Sequence, residues 1–211
     1  RCRAQGTTFL FEPIVYDRAV SDGASKEYAL LKPELVRRAV EDFVNPDYKI
    51  DILKIEIPVT LDFVEGFGTP AMSRRDAEAA VVDVSNAAGD MPFVYLSAGV
   101  TYERFVEGLE FCKSSSGKAA GYMCGRALWS DAIGIFGSEG ANAMARWMET
   151  TGRDRLAAMI CIDFEATGHW AEFNAVPYAS YADLSQRPEV AELLAEAIRR
   201  VNAALPEGLR M

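Results

Sequence analysis

The chain has 211 residues, half of them hydrophobic and a quarter charged, which is enough for one sizeable core and not clearly for two. A formal net charge of −9 argues against general binding to nucleic acid or to anionic membranes, so an anionic ligand would need its own local cluster of donors. The single histidine, His169, excludes a zinc site with two or three imidazole ligands from this chain, and no G-x-S-x-G elbow supports a Ser-His-Asp triad.

In chain order, "RCRAQG" (1–6) resembles the last turn of a helix closed by Gly6, although no helix start precedes it and the chain begins without methionine. "TTFLFEPIVY" (7–16) is apolar and rich in β-formers, and the loop "DRAVSDGASK" follows it. "EYALLKPELVRRAVEDFV" (27–44) has helical spacing at Leu31, Leu35, Val36, Ala39 and Phe43, with Pro33 near a first turn. "DILKIEIPV" (51–59) is a second strand, followed by a glycine-containing loop and a helix at about 73–88 that Ser73 and Asp76 are placed to cap. "PFVYLSAGV" (92–100) is the third strand, and Thr101 is placed to cap a helix running to about 115. "GYMCGRALW" (121–129) reads as the fourth strand, and "SDAIGIF" opens a helical stretch that continues through "GANAMARWMETTG". One more apolar helical pattern and a charged amphipathic helix at 187–205 complete the chain.

Other signals are weaker. The cysteines Cys2, Cys112, Cys124 and Cys161 lie at wide spacings without a C-x-x-C, as expected of reduced thiols in a cytoplasmic protein. No apolar run approaches the ~18 residues of a membrane helix, and the N-terminus lacks the parts of a signal peptide. "GFGTPA" (66–71) fits a dinucleotide fingerprint by letter only, because it is far from the preceding strand and Pro70 interrupts it. His169, in "ATGHW", reads as a packing or surface histidine, which leaves catalysis to carboxylates, lysine and backbone donors.

Four βα units in a row imply a parallel sheet with right-handed crossovers, either an open doubly wound sheet or a (β/α)8 TIM barrel. Glu12, Lys54, Ser97 and Arg126 all fall in the middle or toward the C-terminal end of their strands, where barrels carry functional residues, and this favours the barrel. Four strands are half of one and leave two bare edges. The expectation is therefore a missing N-terminal barrel half, or a sheet completed by another chain, for which a homo-oligomer would serve, with a 211-residue open-sheet domain as the third alternative.

Lys54 and Glu56 are two residues apart in an apolar strand and so share a face. The residues alone leave three readings open: an ion pair along the strand, an edge strand with one wet face, or a desolvated lysine that attacks a carbonyl to form a Schiff base. Glu12 in "FLFEPIV" is flanked by apolar residues, either as a buried paired carboxylate or as a general acid or base with a raised pKa. "LSAG" (96–99) and "CGRA" (124–127) place small residues at strand ends beside helix starts, a setting suited to an anion, with Arg126 as a bidentate partner for phosphate.

Taken together, "FEPIVYD", "LKPELV", "DILKIEIPV", "VEGFG", "PFVYLSAGV" and "CGRALW", in this order over about residues 1–155, resemble the class I aldolases of the tagatose 1,6-bisphosphate group, related to the sulfofructose 1-phosphate aldolases. The resemblance implies strands five to eight of the barrel in residues 1–160, with Lys54 as the Schiff-base lysine and Glu12 as the glutamate that moves protons. It implies substrate binding by Ser97, Gly99, Gly125 and Arg126 at a phosphate and a supporting role for Glu56 in its "K-x-E-x-P" pattern. The reaction would be retro-aldol cleavage of a phosphorylated ketose without metal or other cofactor. Cleavage of a sulfosugar phosphate and a non-catalytic phosphosugar-binding role are the alternatives. The family's first-strand aspartate and a further lysine have no counterpart here, and the segment after about 160 extends beyond its pattern, which implies that residues 161–211 are a helical C-terminal extension.

Overall fold

Hydroxyl caps start three of the helices. Ser25, Ser73 and Thr101 accept hydrogen bonds from the backbone N–H of Tyr28, Asp76 and Arg104 at the starts of α1 (Lys26–Phe43), α2 (Arg74–Ala88) and α3 (Tyr102–Ser114). Each cap contributes about 1 kcal/mol. The computed structural model describes residues 1–160 and Ile162, all within the unit Arg1–Thr167. His169, the helix expected at 187–205 and, Ile162 apart, the extension from 161 lie outside the described residues.

The strands β1 (Leu10–Phe11), β2 (Ile52–Glu56), β3 (Phe93–Leu96) and β4 (Gly121–Tyr122) form one parallel sheet in the order β1-β2-β3-β4. The order never reverses, whereas a doubly wound sheet changes direction at a switch point. All four strands are shorter than their apolar runs. Pro13 and Pro58 remove ladder donors beyond β1 and β2, and Ala98 and Gly99 turn the chain left-handed after β3 (φ 50° and 82°). The expected strand at 121–129 is corrected most: α4 (Arg126–Glu139) already begins within it.

Register separates the two sheet faces. Phe11, Leu53 and Phe93 align across one face, with Ile55, Tyr95 and Tyr122 further along it. Phe11 packs on Phe43 of α1 and Tyr122 on Phe105 of α3, so the helices cover this face. Leu53, Ile55, Phe93 and Tyr95 are buried there together with Val36 and Val40 of α1, Val81 and Val84 of α2, and Leu109 of α3. Ile52, Lys54 and Glu56 alternate with them and stay partly exposed.

The inward stripe of α1 differs from the expected one. Tyr28, Ala29, Lys32, Val36 and Val40 are buried, while Leu31 is exposed and Pro33 lies in the helix interior. Packing against β2 and α2 selects the stripe that carries Val36 and Val40, and this brings Lys32 inside. After α4, Gly140 (φ 84°) breaks the helical stretch before α5 (Ala141–Trp147), a single π-helical turn (Met148–Gly152) and α6 (Arg153–Ile160). The Arg155 guanidinium lies over the rings of Tyr102 and Trp147 and pairs with Glu103 and Asp131, which ties α6 to α3 and α4.

Cys2, Cys112 and Cys124 are free thiols. Burial pushes Cys112 up to about 12. Among the described residues no helix is long and apolar enough to cross a membrane. Gly68 has no room for a side chain, since a Cβ would collide with the backbone carbonyl of Asp62 in the loop joining β2 to α2. Gly68→Ala is expected to lower stability by about 1–3 kcal/mol in urea unfolding, as overpacking does.

Candidate active site

The C-terminal ends of the strands gather most of the polar side chains singled out in the sequence. Lys54, central in β2, donates a hydrogen bond of 2.8 Å from Nζ to Oε2 of Glu12, which lies just past the end of β1. Glu12 follows Phe11 and so falls on the Lys54 side of the sheet. The Lys54 side chain is 18% exposed and the Glu12 side chain 39%. The apolar neighbours of Glu12 in sequence therefore do not enclose it, because Phe11 packs on Phe43 of α1 and Ile14 is exposed. An ion pair along the strand in "DILKIEIPV" is not what forms: the partner of Lys54 is Glu12, just beyond the end of the neighbouring strand.

A second group lies at the ends of β3 and β4. Ser97 is buried directly after β3, and the left-handed Ala98–Gly99 step follows. Gly125 is the N-cap of α4 and Arg126 its first residue, so the N–H groups of that first turn have no side-chain cap. Arg126 Nη1 lies 4.0 Å from where a Cβ on Gly99 would stand, which brings "LSAG" and "CGRA" together in space. Arg126 is exposed and makes no ion pair among the described residues. An exposed guanidinium, an uncapped helix start and a glycine-lined approach are chemically suited to an anion. Cys124 sits close enough to Lys54 for the ammonium to oppose the upward push of burial on its thiol.

Glu56 closes β2 and belongs to a different constellation. Its carboxylate lines a cavity of ≈ 760 Å³ with Tyr28 and Lys32 of α1, Asp17, Thr60 and Gly99. Burial pushes the Glu56 carboxyl above the ordinary carboxylate range against the pull of Lys32. Burial also drives the Lys32 ammonium below the ordinary lysine range against the pull of Glu56. Lys32 was not among the residues expected from the sequence. Its signal was the spacing Tyr28–Lys32–Val36–Val40, a lysine in a four-residue stripe of otherwise apolar side chains. Among the described residues no group of three His, Cys, Asp or Glu side chains is arranged to hold a metal ion.

The profile described as "DeoC/LacD family aldolase" matches residues 1–131. The chain belongs to this aldolase family. Among its relatives, tagatose 1,6-diphosphate aldolase 1 of Enterococcus faecalis is 42% identical over 152 residues, which are 72% of this chain and 47% of the relative. Tagatose 1,6-diphosphate aldolase of Listeria monocytogenes is 36% identical over 176 residues, 82% of this chain and 52% of the relative. The chain thus spans about half the length of these family members. Fructose-bisphosphate aldolase from Plasmodium falciparum, solved in complex with TRAP and a small-molecule inhibitor, superposes with a TM-score of 0.46 at 15% identity, over 65% of this chain and 42% of that one.

The raised Glu56 pKa has a definite sign in stability. A carboxyl whose folded pKa exceeds its unfolded one is stabilising only when protonated, and that contribution is lost as pH rises through the folded value. Glu56→Gln is therefore expected to be more stable than the native chain at neutral pH. In urea unfolding across pH 4–7 the advantage should shrink as pH falls toward 4.

Proposed function

We propose that the chain supplies the catalytic half of a class I aldolase that cleaves a phosphorylated ketose, tagatose 1,6-bisphosphate being the example nearest to its relatives. In this reading β1–β4 are strands five to eight of a (β/α)8 barrel, residues 1–160 are its C-terminal half, and residues 161–211 are an extension. The unreversed parallel order and the half-length match to full-length aldolases support it.

The observation that carries the reading is the Lys54–Glu12 contact of 2.8 Å across neighbouring strands, at the sheet end that also holds Arg126 and Gly99. A Schiff-base lysine must lose a proton before it attacks, and Glu12 is within hydrogen-bond reach of that proton. The freed amine of Lys54 attacks the C2 ketone to form a carbinolamine. Glu12 returns the proton to the departing hydroxyl, water leaves, and an iminium remains. When the C4 hydroxyl is deprotonated the C3–C4 bond breaks, the aldehyde leaves, and the electron pair passes into the iminium as an enamine. Protonation at C3 and hydrolysis then release dihydroxyacetone phosphate and restore the amine. Arg126, Ser97 and the N–H groups near Gly99 and Gly125 would hold the C1 phosphate and align C2 with Lys54.

Borohydride reduction in the presence of tagatose 1,6-bisphosphate or dihydroxyacetone phosphate tests the chemistry. One covalent adduct is expected at Lys54 by peptide mass spectrometry, and none in Lys54→Met. A folded chain that forms no adduct with any phosphoketose would sink the enzymatic reading and leave a phosphosugar-binding protein. Glu12→Gln should slow adduct formation by about 10²-fold or more, as loss of a positioned proton carrier does. Arg126→Ala should raise the half-saturating concentration of the phosphorylated ketose about 10- to 100-fold, the loss of a hydrogen bond to a charged group. That variant should leave trapping of unphosphorylated dihydroxyacetone unchanged.

A further inference from the structure

The ≈ 760 Å³ cavity is lined by two charged groups that the aldol chemistry above does not use, the buried Lys32 and the partly exposed Glu56. Lys32 is only 9% exposed and makes no hydrogen bond or ion pair among the described residues. Oε2 of Glu56 is buried and has no hydrogen-bond partner among the described residues. Each is the largest opposite-charge influence on the other, yet no ion pair within 4.0 Å joins them. A buried ammonium and a carboxylate with one buried oxygen therefore line one space without meeting.

The neighbours do not fill the gap. The Tyr28 hydroxyl donates to the carbonyl of Val15, Asp17 accepts from Ala19 and Val20 within its own turn, and Asp62 pairs with Arg104 at 2.7 Å. An occupant must accept from an ammonium and donate to a carboxylate at once. A phosphate satisfies Lys32 but is repelled by Glu56, and an ammonium does the reverse. A hydroxyl meets both demands with one atom. A water can do so in the free protein, but the cavity is far larger than one water and shares Gly99 with the anion-suited group.

Position adds the substrate class. Glu56 is two residues along β2 from Lys54, about 6.6 Å at the usual strand rise, which is the span of a few carbon–carbon bonds. We propose that Lys32 and Glu56 together bind one hydroxyl beyond C3 of a polyhydroxylated carbon chain, the ammonium donating to it and the carboxylate accepting from it. This rests on the aldolase reading for the identity of the chain, and it makes Lys32 a specificity-determining residue. The cost is a buried ammonium and a buried carboxylate oxygen without a direct partner, an arrangement that a purely structural pair would close.

Titration calorimetry and borohydride trapping on the full chain, with a ketohexose 1,6-bisphosphate and with dihydroxyacetone phosphate, test the pair. Lys32→Met and Glu56→Gln should each weaken binding of the hexose about tenfold, while the triose, which has no carbon beyond C3, changes less than twofold. The double variant should bind the hexose no worse than either single one, because both singles lose the same hydroxyl. Its thermal midpoint should equal or exceed that of the native chain, which also shows that it folds. Equal weakening for both ligands, no weakening for either, or a double variant that loses additively and melts earlier would overturn the proposal. Hexose binding with the expected discrimination but no adduct at Lys54 refutes the aldolase reading and leaves the hydroxyl site standing. Adduct formation without discrimination refutes the hydroxyl site alone, and a native chain that binds neither sugar refutes both.

Discussion

Strand β2 must bury one face completely against the helices, and the placement of every polar group near it follows. Leu53 and Ile55 are sealed beneath α1 and α2, so alternation directs Lys54 and Glu56 away from that layer. Phe11 on the neighbouring strand obeys the same constraint, and Glu12, the next residue, is thereby delivered to Lys54. A one-residue slip of either strand would bury the charges and expose the aliphatic side chains, so register and site geometry are one requirement.

The ends of the strands are the second constraint. Pro13, Pro58 and the left-handed step at Ala98–Gly99 stop the ladder early. The freed residues become loops that converge at one end of the sheet. The lysine–glutamate contact draws Glu12 from the loop after β1, the cavity holding Lys32 and Glu56 takes Gly99 from the loop after β3, and Arg126 opens α4 beyond β4. Separate strands, loops and helices supply these residues, which is why no contiguous motif contains them. The hydrophobic layer beneath, continuous from Val36 to Leu109, provides the rigidity that lets loops hold charge in fixed places.

Membership of the DeoC/LacD aldolase family and a span of about half its members' length go together with a sheet that runs in one direction and carries two edges. Much of this was legible in the residues. The alternation of strand-like and helix-like segments, the caps at Ser73 and Thr101, and the anomalous charges at Glu12 and Lys54 are all visible in the sequence. The signal failed where local pattern and tertiary packing compete. The run 121–129 looks like a strand by composition, yet Gly125 ends it and Arg126 starts a helix. In α1, Leu31 fits an apolar period, but the stripe through Val36 and Val40 buries more against the sheet and carries Lys32 with it.

By itself the sequence determined the class of fold, the order of its elements and which residue types were chemically out of place, because periodicity and capping are local properties. It could not determine partners. Lys54 pairs with Glu12 and not with Glu56, Glu56 faces Lys32, and Arg126 meets Gly99, because each of these choices depends on which face a strand buries and where a loop returns. Those are properties of the packed sheet and its helices, and only the tertiary structure decided them.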